Sequence, residues 1–158
     1  MAILNIVKEG DPVLRKECRP VGEITPHIIR LLDDMRETLI DANGAGLAAP
    51  QVGVLRRIAI VENDGQFIEL INPEIIAREG VQNEIEGCLS VPDVWGITER
   101  PEKVTVRATD RNGAEFTVTG EGLLARAFCH EIDHLSGKLF TDGAVRILSP
   151  EEVKEMLG

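Results

Sequence analysis

The sequence predicts an α+β fold: small antiparallel sheets packed around a central helix that carries a His-Glu-x-x-His motif. Three observations lead there. Apolar-rich runs come in pairs that flank short turn sequences, as hairpins do. Segments with helical periodicity are few and set apart, whereas a doubly wound sheet would alternate them with strands. The helix that bears the motif is largely apolar.

The elements follow in order. Asp11-Pro12 and Arg19-Pro20 punctuate an N-terminal arm expected to be irregular. A helix should start at Thr25-Pro26, with Thr as N-cap and Pro at the first helical position. Ile28, Leu32, Met35 and Leu39 recur at helical spacing, and Asn43-Gly44 should end the run. His27, in the first turn, reads as a surface histidine. Arg57 to Glu62 and Gln66 to Ile71 form a hairpin about Asn63-Asp64-Gly65. Lys103 to Thr109 and Ala114 to Thr119 form a second, about Asp110-Arg111-Asn112-Gly113. Between them, a stretch around Cys88 punctuated by Gly and Pro reads as a connection. The central helix runs from about Glu121 to Leu135 and stops at Ser136-Gly137. A last short helix begins at Ser149-Pro150, where Ser149 and Glu152 have capping-box spacing.

At 158 residues the chain is expected to be one domain, residues 1–158. Hydrophobic residues make up 43%, enough for a core, but aromatics only 3%, so that core must be aliphatic. Net charge is −10 and no run of Lys or Arg offsets it, which argues against partners such as nucleic acid or anionic membranes. Three cysteines are too few and too odd for a disulfide framework. The N-terminus lacks the apolar core of a signal peptide, and no stretch approaches a membrane span, so a cytoplasmic location is expected.

His130-Glu131-Ile132-Asp133-His134 carries the chemistry. Helical residues at i and i+4 share a face, so both imidazoles can bind one metal ion, and Glu131 can reach a water on it. A third protein ligand is needed. Gly137 suits a His-x-x-Gly-x-x-His pattern, but Phe140 stands where its last histidine should be. Glu151 or Glu152 can serve, as in an endopeptidase, although both also suit the first turn of a helix. Cys129 adjoins His130 and so points roughly 100° away around the helix, which makes it a core thiol. Cys88, in Glu86-Gly87-Cys88-Leu89-Ser90, can reach in from outside. Cysteine with two histidines leaves a position open for water, the catalytic pattern. A closed structural zinc module would need a fourth ligand, with only His27, Cys18 and Cys129 to offer. Cys and His donors suit iron, zinc, nickel and cobalt alike.

Gly44-Ala45-Gly46-Leu47-Ala48-Ala49-Pro50-Gln51 is not a dinucleotide fingerprint, because a helix precedes it and Pro50 follows. Taken with Glu86 to Ser90 and His130 to His134, in this order and spacing, it resembles peptide deformylase. Ile6-Val7, Asp11 to Arg15, Ile71-Asn72-Pro73 and Glu121 to Arg126 are similar to that family too, so the resemblance covers most of the chain and ends near Gly143.

The resemblance implies an enzyme that removes the formyl group from formylmethionyl nascent polypeptides, with transient proximity to the ribosome. It implies that Cys88, His130 and His134 bind one divalent metal ion, commonly Fe²⁺, with Zn²⁺ able to take its place. It implies Glu131 as general acid/base, and Gln51 and the Leu89 N–H as donors to the developing oxyanion. Gly46 would let the substrate backbone pass closely. Leu123 and Ala127 can line a methionine pocket. One departure stands out: Val94-Trp95-Gly96 occupies a stretch where many members carry arginine, with Arg100 further on.

Overall fold

The computed structural model describes residues 2–157; Met1 and Gly158, the ends of the expected domain, lie outside them. The first helix, α1 (Pro26–Ala42), forms as its sequence dictates: Thr25 Oγ1 accepts from the Ile28 N–H, Pro26 opens the first turn, and Asn43 closes the helix in the left-handed region. Its stripe of Ile28, Leu32, Met35 and Leu39 is buried, joined by Leu31.

A five-stranded antiparallel sheet receives that stripe. Its strands are β1 (Gly46–Ala48), β2 (Ile58–Asn63), β3 (Gln66–Glu79), β6 (Lys103–Thr109) and β7 (Glu115–Glu121), adjacent in that order. Alternation along β2 sorts its side chains by face. Ile58 and Ile60 pack with Leu32, Met35 and Leu39 of α1. Val61 packs on the other side, with Phe128 and Cys129 of the central helix α2 (Leu123–His134). All residues from Ala125 to Glu131 are buried, so the helix bearing the motif is a core element.

Both hairpins form at the expected turns, but β3 runs on to Glu79. At Asn72 the backbone is left-handed and the register shifts, which lets one strand pair first with β2 and then with β6. The Asn72 side chain also pins the N-terminal arm: Oδ1 accepts from the Val21 N–H and Nδ2 donates to the Val21 carbonyl.

The stretch around Cys88 is not a plain connection. It forms β4 (Gln82–Cys88) and β5 (Val91–Arg100), which join β8 (Ala144–Ile147) in a second, three-stranded sheet. Asn83, Glu84 and Glu86 in β4, and Pro92, Asp93 and Gly96 in β5, hide the alternation that marks a strand. Helix α3 (Pro150–Leu157) follows, with Ser149 and Glu152 exchanging capping hydrogen bonds. No described helix is long and apolar enough to cross a membrane.

A buried carboxylate ties α1 to the first sheet. Glu69 on β3 accepts from Arg36 of α1 at 2.9 Å and from Arg111, in the turn between β6 and β7, at 2.6 Å. Burial opposes its charge, but the hydrogen bonds from Arg111 and the nearby Arg36 hold its carboxyl below the ordinary range. A group with a depressed folded pKa stabilises the fold above its unfolded value, and that stability is lost as pH falls through the folded value. Glu69→Gln is therefore expected to cost about 1–3 kcal/mol near neutral pH. The gap from wild type should shrink in acid, as urea unfolding at several pH values would show.

Candidate metal centre

The site forms where three elements meet. Helix α2 supplies His130, Glu131 and His134. The end of β4 supplies Cys88, and a short 3-10 turn after β1 supplies Gln51. The Cys88 Sγ and one ring nitrogen from each histidine lie within 4.8 Å of one another. His130 Nε2 and His134 Nε2 are 3.3 Å apart, and Cys88 Sγ is 3.4 Å from His134 Nε2.

This donor set fits a metal ion. The Glu86 carboxylate accepts from His130 Nδ1 at 2.6 Å, which orients the ring so that Nε2 faces the His134 ring and can ligate once deprotonated. Burial, with His130 beside it, pushes His134 down to about 3, so its imidazole is neutral. Two ring nitrogens and a sulfur converging on one point suit a shared cation, with a metal ion taking the place of the proton that, despite burial, acidic partners otherwise hold on His130. A tetrahedral ion with bonds of roughly 2.0–2.1 Å to nitrogen and 2.3 Å to sulfur would set its donors roughly 3.3–3.6 Å apart. His134 Nδ1 is buried without a protein hydrogen bond among the described residues.

Glu131 lies against Gly46. A Cβ on Gly46 would stand 2.6 Å from Glu131 Oε2, so the glycine is required by the catalytic-looking carboxylate itself. Burial pushes Glu131 up to about 7, and its Oε1 has no hydrogen-bond partner among the described residues. Gly46→Ala is expected to displace this carboxylate and reduce turnover by about 10²-fold, with metal content near that of wild type. Steady-state kinetics beside metal analysis would check it.

Gln51 is buried and its amide is oriented. Oε1 accepts from the Ala48 N–H at 2.9 Å, which turns Nε2 toward Ser90 Oγ at 3.1 Å and Cys88 Sγ at 3.6 Å. Leu89 follows Cys88 in the two-residue turn to β5, and its side chain packs where Gly44 has none. Leu123, Ala127, Gly46, Gln51, Cys88 and Glu131 all border one cavity of about 490 Å³.

The other candidate ligands lie elsewhere. Cys129 is buried in the core formed with Val104 and Val106 of β6, and Cys18 packs with Ala48, Ala59 and Leu135. His27 is exposed. Glu152 caps α3 and pairs with Arg146, while Glu151 is exposed. Among the described residues, the endopeptidase ligand set and the closed zinc module are therefore not assembled. Phe140 stacks on the His130 ring, with centroids 6.1 Å apart.

Several polar residues here had no role in the reading of the sequence. Glu86 holds His130 and is itself held by Arg100 at 2.8 Å and Arg126 at 2.7 Å, with Thr98 beside it. Arg100 also donates to Asp133, so it is engaged inside the protein. Burial works against the Glu86 charge, but hydrogen bonds from His130 and Arg100 hold its carboxyl well below the ordinary range. One signal was available. Arg126, His130 and His134 fall at i, i+4 and i+8, and a buried arginine on that face demands an acidic partner. Glu86→Gln is expected to weaken metal binding about 10–100-fold while the three ligands remain, a change that chelator competition would read.

The model of the polypeptide deformylase family matches residues 3–149. A peptide deformylase of Caldanaerobacter subterraneus is 54% identical over 154 residues, covering 98% of this chain and 97% of the relative. One from Caldicellulosiruptor bescii is 52% identical over 155 residues, covering 98% and 93%. The crystal structure of a peptide deformylase from Legionella pneumophila superposes with a TM-score of 0.87 at 44% identity, covering 98% of this chain and 90% of that one. That of Thermotoga maritima gives 0.88 at 35% identity, covering 91% and 99%. With the family model spanning nearly its whole length, this chain belongs to the polypeptide deformylase family.

Proposed function

We propose that this chain, acting as one catalytic domain, hydrolyses the formyl amide of N-formylmethionyl nascent polypeptides and releases formate. The observation that carries the reading is the convergence of Cys88, His130 and His134 beside the buried Glu131 and Gln51 on one cavity.

Cys88, His130 and His134 would hold one divalent ion, physiologically Fe²⁺; Zn²⁺, Ni²⁺ and Co²⁺ suit the same donors. When bound, such an ion supplies Lewis acidity and lowers the pKa of water toward neutrality. Glu131 takes a proton from the attacking water and delivers it to the departing amine nitrogen as the formyl C–N bond breaks. The Gln51 Nε2 and the Leu89 N–H donate to the formyl oxygen as it gains negative charge, and losing one such donor typically slows a reaction ~10²–10³-fold. Gly46 gives Glu131 its room and lets the substrate backbone pass. Leu123 and Ala127 supply an apolar wall for the methionine side chain. A formyl carbon is small, so a tight site admits it and excludes ordinary peptide bonds. A nascent-chain substrate supports a cytoplasmic enzyme that works transiently near the ribosome.

The test is formate release from a short formylmethionyl peptide, by protein purified without oxygen and supplied with Fe²⁺. Rapid release is expected, with internal peptide bonds left intact. No release from folded, metal-loaded protein would reject the assignment.

A further inference from the structure

We propose that the Trp95 indole is a fixed outer wall of the substrate groove and selects for an apolar residue immediately after the methionine. The inference rests on the deformylase reading above. The cavity of about 490 Å³ falls among sites that hold a whole small ligand, roughly 300–1,000 Å³, and exceeds the needs of one methionine side chain. Its border includes Asp93, Val94 and Trp95, three consecutive residues of β5.

Side chains on a regular strand alternate between faces, so three successive neighbours of one cavity need a distorted strand. The distortion is present. Asp93 has a left-handed backbone with φ 63°, and the pairing of β4 with β5 shifts register between Glu86 and Cys88. The ring is also held in place. A Cβ on Gly87 would lie 2.5 Å from Trp95 Cζ3 and 2.6 Å from Cε3, so the indole rests on the backbone just before the metal-site cysteine. A large ring already fixed in the free protein offers contact area at little cost in ordering.

The surroundings set the preference. Trp95 and Val94 are only half-buried, so both leave apolar surface open to a ligand on the cavity border. Arginine appears on the border only as Arg126, whose guanidinium is spent on Glu86, Thr98 and Gln82. Asp93, exposed on the same border, adds negative charge nearby. An apolar or aromatic second residue gains contact there, whereas an acidic one meets apolar surface and a like charge.

Formyl-Met-X peptides with X as Phe, Leu, Ala or Asp, assayed on the metal-loaded enzyme, test this. Wild type should favour Phe and Leu over Asp by about tenfold or more in kcat/KM. Trp95→Ala should flatten the series, mainly through KM, and Trp95→Phe should restore most of the slope. A wild-type series with no slope would overturn the proposal. So would a Trp95→Ala enzyme that keeps the slope, or one that changes only discrimination among first residues, which would place the ring in the methionine pocket. A second readout needs no turnover, because Trp95 is the only tryptophan of the chain. Its emission should shift on titration with unformylated Met-Phe peptide and much less with Met-Asp; equal or silent responses would also overturn it. Formate release from any formyl peptide reports separately on the deformylase reading.

Discussion

A Glu131→Gln enzyme is expected to keep its metal and its fold while formate release falls by about 10²–10⁴-fold. The substitution preserves the shape of a side chain that is 4% exposed and pressed against Gly46, so packing should hardly change. What it removes is the ability to take and return a proton. Burial has already pushed the Glu131 carboxyl up to about 7, where a group exchanges protons readily at working pH. The sign for stability runs opposite to that for activity. An acid whose folded pKa is raised destabilises the fold above its unfolded pKa, because its charge is buried. A neutral amide lacks that penalty, so the metal-free variant should unfold at or above the temperature of the metal-free wild type. Thermal unfolding, metal content and turnover measured on one preparation would separate the roles. Near-normal turnover would remove Glu131 as the base.

Cys88→Ala should have the second large effect, through the metal. Loss of an outer partner of a metal site typically costs 10–100-fold in affinity, and loss of a ligand should cost more. The variant is expected to purify with little bound ion and to lose activity with it. Its fold should survive. Cys88 lies at the end of β4, and Gln51 keeps its hydrogen bonds to Ser90 and the Ala48 N–H. Cys129→Ala is the matched control, since that thiol sits in the core away from the ligand trio. Unchanged metal stoichiometry in Cys88→Ala, measured on protein purified without oxygen, would exclude a centre built on Cys88, His130 and His134.

The sequence by itself determined the elements that clear local signals mark. Thr25-Pro26 and Asn43-Gly44 bound α1 because caps and backbone preference act within a turn. The two hairpins follow from turn residues between apolar runs, and the capping box of α3 from Ser149 and Glu152. Helical periodicity was enough to put His130 and His134 on one face. Only the tertiary structure decided what arises between distant segments. It brought Cys88 to the two histidines, gave Gly46 its reason in Glu131, and made Glu86 the partner of His130, Arg100 and Arg126. The second sheet lay hidden for the same reason. In β4 and β5 the exposed Asn83, Glu84, Pro92 and Asp93 break a simple alternation, and the inward Glu86 is tolerated because arginines from β5 and α2 neutralise it. A buried charge is readable only when its counter-charge is known, and across 40 residues between Glu86 and Arg126 that pairing exists only in the folded chain.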